Sequence, residues 1–178
     1  MNPFATLGLP ARFDVDPEQI EQRYRDLQRA LHPDKFAQAS AAERRMSLSK
    51  AVEVNEAYRA MRDDLERAKA LLAVFGVDSR DERAGAADPE FLMEVMELRE
   101  ALGEARARKD LAKVGVLAER VRKMQRATLD DMTVRFGTLP DRDAPGPELA
   151  KLTALLAQLR YFRRFLDEVA VIEEEALS

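Results

Sequence analysis

Apolar residues recur at helical intervals along most of this chain, and polar breaks divide the pattern into blocks. In "DVDPEQIEQRYRDLQRALHPD", Ile20, Tyr24, Leu27 and Leu31 fall at i, i+4, i+7 and i+11, one face of a helix. Asp16 is placed to cap that helix and Pro17 to occupy its first position. Pro33 ends it, because the residue before a proline is driven out of α conformation. A second helix opens at Ser40, where Glu43 three residues later completes a capping box. Leu48, Ala51, Asn55, Tyr58 and Met61 are the predicted inner face of this second helix. "DDLERAKALLAVF" predicts a shorter helix packed on the pair. Two antiparallel helices joined by a short loop make a helical hairpin, the unit predicted for residues 1–75.

"GVDSRDERAGAADPE" is polar, contains two glycines and ends on Asp88-Pro89, another cap and first-turn pair. It predicts a linker over residues 76–88. Three longer helical patterns follow: 89 to 107, Asp110 to about Phe136-Gly137, and, after the break "GTLPDRDAPGPE", Glu148 to Glu175. Short connections make an up-down-up three-helix bundle over 89–178 the simplest arrangement. Val114, Leu117, Ala118, Val121, Met124 and Met132 read as the core face of its middle helix. Leu152, Leu155, Leu156, Leu159, Phe162 and Leu166 read as that of its last. The fold class is all-α.

Composition agrees: 46% hydrophobic and 35% charged residues with 7 Gly, rich in Ala, Leu, Glu and Arg, favour helices over sheets. A net charge of −4 argues against nucleic acid as the main partner, since phosphate binding needs clustered positive charge. "RARK" at 106–109 and "RVRK" at 120–123 are therefore expected to be solvated. No apolar run approaches the ~20 residues needed to cross a bilayer, and "MNPFATLGLPARFD" lacks a signal-peptide pattern. There is no cysteine, hence no disulfide, thiolate nucleophile or cysteine metal site, and a cytoplasmic location is expected.

The stretch "RALHPDKFAQAS" holds the only histidine. Arg25, Arg29 and His32 lie at i, i+4 and i+7 on a stripe turned away from the apolar face, and Lys35 follows in the loop. Spacing alone leaves two readings open. One is a solvated face whose cations offset the helix dipole by ~0.3–1 kcal/mol each. The other is a docking surface. Catalysis is the weaker idea: a lone histidine could act as a base, but no serine or cysteine nucleophile with an oriented partner is legible. No second histidine or cysteine exists for a zinc site, and Gly76 and Gly85 stand too far apart for a phosphate loop. A non-enzymatic protein without cofactor or metal is expected.

In "DPEFLMEVMELREALGEA", Phe91, Val95, Leu98, Leu102 and Ala105 form one apolar face. Leu92, Met93 and Met96 lie away from that face, and Met93 and Met96 project to the opposite side among Glu97, Glu100 and Glu104. The bland alternative is a wide bundle face with tolerated methionines, since single exposed apolar residues are normal. Clustered and rimmed by acids, they fit a partner surface that selects a basic ligand. On the last helix, Tyr161 and Phe165 sit roughly opposite the core face. Tyr161 is read as completing the patch, and Phe165 as either joining it or covering the bundle's edge.

"RYRDLQRALHPDKF", followed by "VNEAYRAMRDDLERA", resembles a J domain, a helical hairpin whose His-Pro-Asp loop activates a heat-shock chaperone ATPase. The resemblance covers about the first 75 residues. It implies His32, Pro33 and Asp34 as the chaperone contact, supported by Arg25, Arg29 and Lys35. Phe36, next to the motif, is read as a core or loop anchor. "FLMEVMELREALGE", together with "LGLPARF" and "LHPDKF", is similar to the HscB family, J-proteins of iron–sulfur cluster assembly, over nearly the whole chain. That resemblance implies an HscA-type chaperone partner and an IscU-type scaffold partner, the latter bound by Leu92, Met93, Met96, Glu97, Glu100, Glu104 and Tyr161. The missing Cys-rich amino-terminal extension of some eukaryotic relatives suggests a bacterial-type form. A general J-domain adaptor with a different client is the alternative.

Overall fold

The computed structural model describes residues 1–77, 88–139 and 146–177, and every regular element among them is helical. The chain divides into two compact units, residues 1–78 and 79–178. Of the expected linker, residues 78–87 lie outside the described ones, as do 140–145 of the proline-containing break.

The first unit contains α1 (Pro3–Leu7), α2 (Pro17–Ala30), a turn of 3-10 helix (Pro33–Phe36), α3 (Ala41–Arg62) and α4 (Asp64–Val74). Local chemistry starts the helices where the sequence predicts. The Asp16 carboxylate accepts the Glu18 N–H at 2.9 Å, and the Ser40–Glu43 capping box closes in both directions. α1 was not foreseen. Five residues are too few for a periodic signal, but Asn2 caps it, and Gly8 ends it at φ 64°. A side chain at Gly8 would also collide with Arg23, whose Nε donates to the Leu7 carbonyl at 3.2 Å. α1 buries Phe4 and Leu7, and α4 buries Leu65, Ala68, Leu71 and Leu72.

One prediction for α3 fails. Leu48 is 66% exposed. The buried register is Ser47, Val54, Ala57 and Met61, with Ala51, Asn55 and Tyr58 half-buried beside it. Only a narrow arc of α3 faces the hairpin partner, and at its loop end Leu48 falls just outside that arc.

In the second unit α5 (Pro89–Ala107), α6 (Leu111–Thr138) and α7 (Gly146–Leu177) run up, down and up. Cross-helix pairs report the directions: Arg120–Glu94 at 2.8 Å and Lys113–Glu104 at 3.8 Å set α6 antiparallel to α5. Thr128–Gln158 at 3.2 Å and Arg135–Glu148 at 3.1 Å do the same for α7 against α6. The basic side chains of the runs at 106–109 and 120–123 are exposed, while Val121 between them is buried, and Arg106, Arg120 and Arg122 face carboxylates of this chain.

Phe165 is a core residue, 2% exposed, which corrects its placement opposite the core face. The buried positions Leu152, Leu156, Leu159, Phe162, Phe165, Val169 and Ile172 advance by a mean of about 3.3 residues per step, less than the 3.6 of a straight helix. The buried stripe therefore winds by roughly 160° around α7. A single fixed face captures its start and loses its end. Leu155 and Leu166, predicted as core, are half-buried for the same reason, and on α6 Met124 is half-buried too.

Candidate functional site

The hairpin's loop is built by short-range hydrogen bonds. His32 takes the extended conformation that Pro33 requires, φ −58° and ψ 133°, and then caps the 3-10 turn. Its Nδ1 accepts the Asp34 N–H at 3.3 Å, and its carbonyl accepts the Lys35 N–H at 3.0 Å. An imidazole accepting at Nδ1 carries its proton on Nε2, so we assign that tautomer from this bond. The Asp34 carboxylate lies 3.4 Å from the same nitrogen. A nitrogen already engaged as an acceptor offers it no proton, so we read this approach as proximity rather than an ion pair. The Asp34 side chain is 90% exposed, leaving its oxygens available to an incoming cation.

The hairpin legs are tied by a polar ladder. Tyr24 and Tyr58 stack with centroids 4.0 Å apart. The Asn55 side-chain carbonyl accepts from the Tyr24 hydroxyl at 3.0 Å and from Gln28 at 2.7 Å. Tyr58 donates to Glu21, a bond that lowers the Glu21 pKa and raises that of Tyr58. At the loop end the Ser47 hydroxyl donates to the Leu31 carbonyl at 3.1 Å, satisfying one of the last acceptors of α2. The supporting roles of Gln28 and Ser47 were not read from sequence. A polar Asn55 on an otherwise inward helix face was the available signal.

Arg25, Arg29 and Lys35 are all exposed, as the stripe predicts. Arg25 pairs with Glu21 at 3.0 Å and Arg29 with Asp26 at 3.7 Å. Exposed pairs of this kind contribute only ~0–1 kcal/mol, so exchanging these carboxylates for a partner's costs little.

On α5, Leu98, Leu102 and Ala105 are buried, with Phe91 and Val95 half-buried, while Leu92, Met93 and Met96 are 48%, 65% and 71% exposed. At about 100° per residue, Met93, Met96, Glu97, Glu100 and Glu104 share an arc of about 100°, with Leu92 at its edge. The three glutamates are exposed. Glu104 lies 3.8 Å from Lys113 and 3.9 Å from Arg108.

Tyr161 is half-buried rather than projecting away from the bundle. Its hydroxyl donates to the Val95 carbonyl at 3.2 Å, and its ring meets Phe91 edge-on at 5.9 Å. Phe162 and Phe165 lie 6.0 and 6.1 Å away. Burial raises its pKa, keeping it a neutral donor. Tyr161 thus brackets α7 to α5 at Phe91 and Val95. Among the described residues no cluster of three His, Asp or Glu could hold a metal ion, and no helix is long and apolar enough to cross a membrane.

Known proteins show the same division. Residues 2–70 match the DnaJ domain family, and residues 87–170 match the HSCB C-terminal oligomerisation domain. The "Co-chaperone protein HscB homolog" of Bordetella parapertussis is 50% identical over 103 residues, 58% of this chain and 61% of that protein. The match to this relative therefore spans less than two thirds of its length. The protein of the same description from Burkholderia multivorans is 38% identical over 166 residues, covering 93% of this chain and 90% of its own. Chaperone HscB from Vibrio cholerae superimposes with a TM-score of 0.79 at 32% identity, over 99% of both chains. Human co-chaperone protein HscB does so at 0.83 and 26% identity, over 96% of this chain and 81% of its own. With a J domain ahead of a three-helix bundle, and this likeness along nearly its full length, the chain belongs to the HscB co-chaperone family.

Proposed function

We propose that this protein is a co-chaperone that stimulates an HscA-type heat-shock ATPase and delivers an IscU-type iron–sulfur scaffold protein to it. His32, Pro33 and Asp34 form the chaperone contact, with Arg25, Arg29 and Lys35 steering an acidic chaperone surface onto it. Leu92, Met93, Met96, Glu97, Glu100, Glu104 and the edge of Tyr161 hold the scaffold. Proline lowers the entropy lost when the loop is fixed against a partner. Bond-making chemistry belongs to the partners: this chain biases the ATPase, and the scaffold carries the cluster on its own ligands, since clusters are usually held by cysteine thiolates and this chain has none.

The observation that supports this most is the outward cluster on α5. Leu92, Met93 and Met96 remain exposed on a helix whose other side is already filled by the bundle core. The test is ATP turnover by the chaperone with and without this protein, and with and without scaffold. Stimulation that rises further with scaffold is expected. Stimulation of a general heat-shock chaperone without any scaffold binding would instead favour an adaptor for another client.

A further inference from the structure

Beneath the His-Pro-Asp turn lies a cleft of about 360 Å³ between the end of α2 and the start of α3. Leu31, Pro33, Phe36, Leu48 and Ala51 supply its apolar walls. The backbone beside it is largely satisfied. Ser47 covers the Leu31 carbonyl, and Arg44 donates to the Ala37 carbonyl at 3.4 Å. An apolar guest would be removed from water against these walls. Leu48 is 66% exposed here, and Val52, one helical turn on, is 49% exposed. The one charged residue among those lining it is Arg44, and no acid lies there. His32 and Pro33 belong both to the turn and to the cleft, so whatever engages the turn must cover the cleft's mouth.

We propose that this cleft takes one or two large apolar side chains from an acid-flanked segment of the chaperone ATPase. It thereby extends the turn's contact into an anchored interface. The proposal rests on the co-chaperone reading given above. Its occupant follows from the apolar walls, the Arg44 guanidinium among them and the continuity with His32 and Pro33. The division of labour is that the turn sets how far the ATPase is stimulated, and the cleft sets how tightly the chaperone is held.

The experiment is single-turnover ATP hydrolysis by the chaperone, followed against increasing concentration of wild-type, Leu48→Glu, Leu48→Met or His32→Gln protein. Leu48→Glu should raise the half-maximal concentration about tenfold, the size of one lost apolar anchor, while its rate at saturation approaches wild type. Leu48→Met, of similar volume, should remain within about twofold. Since Leu48 is exposed, circular dichroism should show unchanged melting for both variants. A wild-type curve for Leu48→Glu, with His32→Gln defective, overturns the cleft and leaves the co-chaperone reading intact. An unimpaired His32→Gln overturns that reading and this assignment together. If Leu48→Glu weakens scaffold binding instead, or dissociates a self-associated form in sedimentation, the cleft serves the client or a second copy, and the proposal is wrong.

Discussion

At the His-Pro-Asp turn, three exposed residues are held in place by hydrogen bonds that span two or three positions. On the outer side of α5, three apolar side chains stand free of such bonds, and two of them are unbranched methionines. The first region presents a shape and the second presents an area. A shape fails when a single atom is misplaced, because charge-assisted contacts depend on geometry. An area fails by degrees, in proportion to what is removed from it. The turn should thus behave as a trigger with a sharp threshold, and α5 as an adjustable grip. Methionine suits the grip, since its three rotatable bonds let it settle against an uneven surface.

The sharpest way to break this contrast is His32→Gln. Stimulation of the chaperone ATPase is expected to fall to background while scaffold binding by calorimetry is unchanged. A graded, partial loss would show the turn to be an area too. Next, Met93→Ala with Met96→Ala should weaken scaffold binding by about 2–4 kcal/mol, somewhat less than the full burial value because neither methionine is fully exposed. Each single variant should account for roughly half, and unchanged affinity in the double variant would remove α5 from the mechanism. Tyr161→Phe then separates bracket from contact. Losing the bond to the Val95 carbonyl should cost about 1 kcal/mol of stability in urea unfolding, with scaffold affinity little altered if only the ring edge touches the partner.

The smallest effect concerns the hairpin alone. The Ser40 hydroxyl, and then its backbone N–H, hold the Glu43 pKa below its ordinary value of 4.5. The Tyr58 hydroxyl chiefly does the same for Glu21. A carboxylate with a lowered folded-state pKa contributes stability above its unfolded value and loses it as pH falls through the folded one. Thermal melts should therefore drop below about pH 4.5. Glu43→Gln should flatten part of that slope. Ser40→Ala, which removes the cap, should cost about 0.5–2 kcal/mol at neutral pH.

Helix starts were legible because caps act over three residues: Asp16, Ser40 and Asp88 each accept the backbone N–H that their sequence position predicts. The exposure of Met93 and Met96 was legible because α5 is straight enough for one fixed face to describe it. Leu48 and Phe165 were misplaced because their burial depends on what lies opposite. Leu48 stands just outside the narrow arc of α3 that meets the hairpin partner, and the seam on α7 turns underneath Phe165. The cleft was invisible for the same reason. Its lining comes from residues 28 to 51 on three elements, and no periodicity within any one of them announces a gap between them.

The turning seam of α7 has a mechanical consequence for the patch above it. A helix with a straight contact line can slip lengthwise by a repeat and find an equivalent fit. One whose contact line coils must rotate as it slides, like a bolt in its thread, and here rotation would carry Tyr161 off the Val95 carbonyl and Arg106 off Glu175. Tyr161 and Arg106 thereby hold α5 in register with α7, and the height of the methionines on the bundle is set with them.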